Sequence, residues 1–133
     1  MAGYSKRPLE KKLGIKEGFE VLLVNEPFYY YSLFEKVPDI TEAKPDQSEV
    51  DFIHLFAMSI EDLEKHLLQL KQQLSKTGIL WISWPKKSAK LKSDLDGNIV
   101  RQAGLDCGLV DVKVCAVDEI WSGLKFMYRI KDR

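Results

Sequence analysis

Three short apolar runs, residues 19–24, 50–56 and 79–84, constrain this chain more than any other feature of it. Each is too short for a buried helix and carries apolar side chains at both odd and even positions. That is the pattern of strands buried on both faces of a parallel sheet. Parallel strands need long crossovers, and residues 59–76 supply the clearest one. Ile60, Leu63, Leu67, Leu70 and Leu74 recur at three- and four-residue steps and form one apolar stripe. Ser59 is placed to cap this helix with Asp62 three residues on, Glu61 and Lys65 pair across one turn, and Gly78 closes the element.

The remaining segments complete an α/β pattern. Pro27 suits the first position of a helix over residues 28–37, which Pro38 ends. Residues 38–49 read as a loop with one short strand around Ile40. A further helix starts near Asp94 or Asp96, turns Leu95, Ile99 and Ala103 inward, and stops by Gly108. Residues 109–117 and 124–130 are β-rich runs joined by the tight segment 118–123. That link is too short for a helical crossover, so the final strand is expected to run antiparallel. Together these elements predict one three-layer, Rossmann-like α/β domain over residues 1–133. Its sheet is mostly parallel, of about six strands, with a C-terminal antiparallel strand and helices on both faces.

Composition excludes several classes. Apolar residues make up 45% and charged residues 30%, ordinary for a folded domain and unlike a disordered chain. Twenty basic residues cancel 20 acidic ones, so no overall field draws the chain to nucleic acid or an anionic membrane. No apolar stretch is long enough to span a bilayer or follows the start as a secretory signal would, so a cytoplasmic location is expected. Cys107 and Cys115 form no C-x-x-C pair, and only His54 and His66 could join them. They are expected to stay reduced as small apolar residues, with no metal site. His54 alternates with Phe52 and Phe56 on one strand face and reads as a core histidine, whereas His66 flanks the helical stripe at the surface.

Open α/β sheets bind ligands beyond the carboxyl ends of their parallel strands. The segments expected there are Asn25-Glu26, Ala57-Met58-Ser59, residues 84–88 and Asp118-Glu119, with Trp121-Ser122 leading back from the same edge. A helix ahead of the first strand would bring Tyr4 to Arg7 close. The candidate ligand-binding residues are therefore Lys6, Lys86, Lys87, Ser88, Asp118, Trp121, Ser122 and Lys125. Lys86, Lys87 and Ser88 offer two ammonium groups and a hydroxyl to a small anion such as phosphate, sulfate or carboxylate. The competing reading is a solvated loop whose lysines pair with Asp94, Asp118 or Glu119. Trp121 is either a stacking platform beside an acid/base or orienting Asp118, or a lid on the core above a capped turn. No nucleophile and base fall together in these loops, so no catalytic residue is assigned. The acidic stretch from Glu35 to Asp51 balances the lysines from elsewhere on the surface.

The turn after the first strand, Val24-Asn25-Glu26-Pro27-Phe28, has no glycine. Glu26 puts negative charge where a phosphate would sit, and Pro27 removes an amide donor. A dinucleotide is not expected there on these grounds. S-adenosylmethionine, which carries no phosphate, is opposed less firmly by the bulk of the turn. Phe28, Tyr29, Tyr30, Tyr31 and Phe34 form an aromatic cluster open to a core or a partner-facing role. Without a basic groove around it, nucleic-acid binding is not expected.

Several segments carry a resemblance: Tyr4-Ser5 through Pro8-Leu9, Lys11-Lys12-Leu13-Gly14-Ile15-Lys16 with Gly18, Trp84-Pro85-Lys86, Lys92-Ser93-Asp94-Leu95, and Val117-Asp118-Glu119-Ile120-Trp121-Ser122 through Leu124-Lys125-Phe126. In these the chain resembles a bacterial family of small proteins catalogued only as a domain of unknown function. The resemblance implies a reduced class I methyltransferase-like domain with strand order 2-1-3-4-6-5, and it brings no activity with it. Three functions compete at this point. The first is a domain that binds a small anion. The second is an enzyme, either a divergent methyltransferase relative or a hydrolase using Asp94 or Asp118. The third is a non-catalytic interaction module using the tyrosine-rich segment or a sheet edge, with self-association left open. The first is preferred.

Overall fold

The computed structural model describes residues 7–133, so Tyr4, Ser5 and Lys6 lie outside the described residues. Helix α1 (Leu9–Leu13) leads into β1 (Glu20–Val24), followed by β2 (Thr41–Glu42) and β3 (Val50–Phe56). Helix α2 (Ile60–Gln73) runs straight into β4 (Leu74–Pro85), and α3 (Gly97–Asp106) precedes β5 (Leu109–Ala116) and β6 (Trp121–Tyr128). The strands form one sheet in the order β2-β1-β3-β4-β6-β5. The first four pair in parallel, and β6 is antiparallel to both β4 and β5. This is the mixed Rossmann-like sheet expected from the sequence, and its order is the one the resemblance implies. No helix among the described residues is long and apolar enough to cross a membrane.

Both faces of the three central strands are buried, which is why their apolar residues do not alternate with polar ones. Ile53, Leu55, Leu80 and Ile82 face α2 and α3, where Leu63, Leu67, Leu70 and Val100 meet them. Phe52, Phe56 and Trp81 face α1 and a 3-10 turn at Tyr30–Leu33, against Leu9, Leu13, Tyr30 and Phe34. The helix starts are capped as their residues suggest. Ser59 Oγ accepts the Asp62 N–H (3.1 Å), and Asp96 Oδ1 accepts the Ile99 N–H (2.9 Å).

Four local expectations change. Residues 28–37 hold only the 3-10 turn, because Tyr30 and Phe34 are drawn into the core while Phe28 stays fully exposed. The buried Glu10 carboxylate accepts the N–H groups of Glu35 (3.0 Å) and Lys36 (2.9 Å), holding the chain that leaves the turn. Secondly, α2 stops at Gln73, and Gly78 lies within β4 instead of closing the helix. A Cβ on Gly78 would sit 2.9 Å from the Val50 carbonyl oxygen and 3.0 Å from that of Asp51, so a close backbone approach demands the glycine. Thirdly, α3 is rotated by one residue: Val100 and Gly104 are buried, and Ile99 and Ala103 flank them. Lastly, β6 begins at Trp121 and ends at Tyr128, and Ile130 is exposed on a terminal 3-10 turn.

His54 is a core residue. Its Nδ1 lies 2.8 Å from the Tyr30 hydroxyl and its Nε2 2.7 Å from Ser83 Oγ, while its ring stacks on Phe56 at 4.3 Å. The chain of contacts ties the 3-10 turn to β3 and β4 through one fully buried side chain. Burial pushes the imidazole pKa down to about 3, so the ring is neutral.

Two outcomes follow from this packing. Gly104 faces the Phe126 ring so closely that an added Cβ would lie 2.1 Å from Phe126 Cε1. Gly104→Ala is therefore expected to lower the unfolding free energy by about 1–3 kcal/mol in urea titrations, despite alanine's better helix propensity. For His54, the unfolded chain takes up a proton near pH 6.5, whereas the native ring does so only near 3. Its contribution is complete above pH 6.5 and is lost as pH falls from there towards 3, by at most about 1.4 kcal/mol per pH unit. Urea midpoints at pH 7.5, 6.5 and 5.5 check the trend. A His54 imidazole NMR signal that titrates in that interval contradicts it.

Candidate functional site

The loops that the sequence directs to one edge of the sheet do meet there. Pro85 pairs with Trp121 and Trp84 with Ser122, and the Lys86 N–H donates to the Ile120 carbonyl (2.8 Å). Asp118 organises the β5–β6 turn: its Oδ1 accepts the N–H groups of Ile120 (2.8 Å) and Trp121 (2.7 Å). Its Oδ2 accepts the Tyr29 hydroxyl (2.9 Å), which fastens the segment after β1 to the far side of β3 and β4. Burial, then the neighbouring Asp118, pushes the Tyr29 hydroxyl above its ordinary pKa. Trp121 is half-buried and packs edge-on against Phe56, with ring centroids 5.0 Å apart. This geometry is the capped turn with an aromatic lid.

The candidate residues do not all share one surface. Lys87 and Ser88 are exposed on a 3-10 turn beyond the end of β4. Ser122 alternates with Trp121 along β6, so it faces the α2–α3 side while Trp121 faces the α1 side. Lys125 is not at the rim. It stands four residues into β6, opposite Trp81 on β4 and Lys113 on β5. Asp94 does not pair with the lysines; its Oδ1 accepts the Ile60 N–H (2.8 Å) at the start of α2.

Three further lysines, Lys12, Lys16 and Lys113, gather with Lys86 and Lys125 on the α1 side of the sheet. The Asp111–Phe126 and Lys113–Lys125 pairs leave Val112 as an extra residue, a β-bulge that reverses the alternation of β5. Without it Lys113 would share the face of Asp111, which reaches Arg101 on α3 (3.4 Å). With it Lys113 joins Lys125 on the α1 side. The Trp81 indole N–H donates to the Leu13 carbonyl (2.8 Å) and seats the end of α1 beside Lys125, bringing Lys12 and Lys16 into the group. Burial, then Lys113 and Lys16, pushes the Lys125 ammonium below the usual lysine pKa. Burial pushes the Cys115 thiol up against the opposing pull of Lys12, Lys113 and Lys86. Among the described residues none of these five lysines has a carboxylate within ion-pair distance. Lys12 and Lys16 sit within a segment quoted for the resemblance, but nothing in sequence spacing announces the bulge. Also among the described residues, no three His, Cys, Asp or Glu side chains gather to hold a metal ion.

This architecture has many solved counterparts. A TehB-like SAM-dependent methyltransferase from Corynebacterium glutamicum matches 96% of this chain over 91% of its own, at TM-score 0.56 and 11% identity. A SAM-dependent methyltransferase from Aquifex aeolicus matches 91% over 88%, at 0.54 and 20% identity. The magnesium protoporphyrin IX methyltransferase of Synechocystis PCC 6803, with bound SAM, matches 85% over 71%, at 0.56 and 9% identity. The chain has a methyltransferase-like Rossmann fold. No protein-family model matches it, and no curated protein is significantly similar in sequence.

The residues at the exit of β1 do not fit the cofactor that such folds hold. Asn25 takes the left-handed turn (φ 59°), Glu26 and Pro27 follow, and the connection to β2 contains a four-residue 3-10 turn where a helix N-terminus is needed. The Tyr29–Asp118 bond then closes the edge above β3 and β4. One feature fits better: Glu42 ends β2, where an acidic residue can reach a ribose in open α/β sheets, although Tyr31 donates to it at 3.2 Å.

Directly opposed ammonium groups on neighbouring strands repel. Lys125→Met, which keeps the aliphatic stem, is expected to raise stability by roughly 0.5 kcal/mol at low salt, about 2 °C in Tm. The gain should shrink as salt screens the repulsion. Thermal unfolding of both proteins at 20 mM and 500 mM salt tests this, and an unchanged or lower Tm for the variant contradicts it.

Proposed function

We propose that this chain is a cytoplasmic, non-catalytic domain that binds a small phosphorylated anion on the lysine-lined side of β5 and β6. Lys86, Lys113 and Lys125 form the site with Lys12 and Lys16, and Trp121 bounds it. One observation carries the reading: Lys113 and Lys125 stand opposite each other with no neutralising carboxylate among the described residues. Residues 1–6, Met-Ala-Gly-Tyr-Ser-Lys, contain no carboxylate either. An anion seated there relieves the repulsion, and its phosphoryl oxygens accept from the ammonium groups. The candidate Lys87 extends the positive field at the rim and Ser88 offers a hydroxyl beside it, whereas the candidate Lys6 lies outside the described residues. Kinship with the small bacterial family belongs to this proposal too.

The second reading, a divergent methyltransferase, draws support from the shared fold and from Glu42 at the end of β2. The glycine-free exit of β1 and the Tyr29–Asp118 closure count against it.

The two separate in one experiment. At constant ionic strength, pyrophosphate is expected to raise the wild-type Tm, by an amount set by RT ln(1 + [L]/Kd), and to leave a Lys113→Ala/Lys125→Ala variant unmoved. S-adenosylhomocysteine in the same assay is expected to have no effect. No response to pyrophosphate removes the anion reading, and a response to the nucleoside favours the methyltransferase one.

A further inference from the structure

We infer that the lysine face takes a linear polyphosphate-type anion, with three or more linked phosphoryl groups, in preference to a single phosphate. This inference rests on the anion-binding reading and specifies its ligand. The layout is elongated. Lys86 leaves β4 just past Pro85, whose partner is Trp121, and Lys125 lies four residues further along β6. At the rise of an extended strand that separation is roughly 13 Å along the sheet. Lys113 stands across from Lys125, and the seated end of α1 puts Lys12 and Lys16 on the remaining side. The cations therefore form a track along the strand direction. A compact cup around one tetrahedral anion would need them at a single point.

Charge supports the same conclusion. A single phosphoryl group brings about two negative charges, too few for five ammonium groups without carboxylate partners among the described residues. A chain of three or more such groups offsets the whole track. The donor type agrees as well. Every cation in the track is a lysine, a point charge on a flexible stem with three rotatable donors. Lysines of this kind do not impose the planar, bidentate recognition of one group that an arginine fork does. Such a surface ranks ligands by how many charges they line up. The bulge at Val112 contributes directly, because it moves Lys113 from the α3 side to the track.

The test is a calorimetric series at fixed ionic strength with orthophosphate, pyrophosphate, tripolyphosphate and ATP. Affinity is expected to rise at least tenfold from orthophosphate to tripolyphosphate, with a steeper salt dependence for the longer chain. Lys113→Ala, a change at an exposed position, is expected to weaken tripolyphosphate at least fivefold with circular dichroism unchanged. ATP binding as tightly as tripolyphosphate identifies the phosphate chain as the recognised element, and tighter binding adds a base contact at Trp121; both support the track. Equal affinity for orthophosphate and tripolyphosphate overturns the inference and leaves simple anion binding in place. Failure of every phosphate to bind overturns both. Tripolyphosphate binding that survives Lys113→Ala/Lys125→Ala unchanged puts the ligand elsewhere and overturns this assignment.

Discussion

A neutral histidine in the middle of the sheet holds the α1 side of this protein together. His54 has no water to solvate it, so both ring nitrogens must find partners within the fold. They find the hydroxyls of Tyr30 and Ser83, which belong to the β1–β2 connection and to β4. The connection lacks a helix of its own, so the Tyr30 contact substitutes for the helical packing that usually covers this part of such a sheet. Phe56 stacks on the imidazole and in turn supports Trp121, so the edge of the sheet is stacked on the same buried group.

Two irregularities in the strands decide what the sheet presents to solvent. The shift between Val50 and Phe52 moves successive apolar residues of β3 onto opposite core faces, and Gly78 makes room for it. The bulge at Val112 moves Lys113 to the side of Lys125. On β5 the single additional residue reverses every side chain beyond it, because alternation in a strand has a period of two. The first shift serves packing. The second concentrates charge of one sign in a protein whose total charge is zero.

Fold and chemistry diverge in this molecule. The strand order and the layering are those of methyltransferase-like domains, and the exit of β1 departs from the cofactor cradle they support. Pro27, Glu26 and the Tyr29–Asp118 bond occupy that edge with the protein's own groups. The free ammonium groups gather instead around the antiparallel pair, away from the crevice at the parallel strand ends. A scaffold can keep its topology while its exposed chemistry changes, since topology is maintained by buried apolar contacts and surface chemistry by a few exposed side chains.

Strand existence, the parallel-to-antiparallel switch, the α2 stripe and the core placement of His54 were legible in the residues. Those features follow from local periodicity and connection length, which neighbouring residues set among themselves. The helix at residues 28–37 and the inward face of α3 were misread because Tyr30, Phe34 and Gly104 answer to partners far along the chain. The sequence singled out Lys86 and Lys125 but not Lys12, Lys16 and Lys113, which the fold gathers beside them. Composition and spacing determined that lysines would be exposed near the last strands. Only tertiary structure decided which of them share a surface, because a bulge's parity and a helix seated by Trp81 are set by long-range contacts.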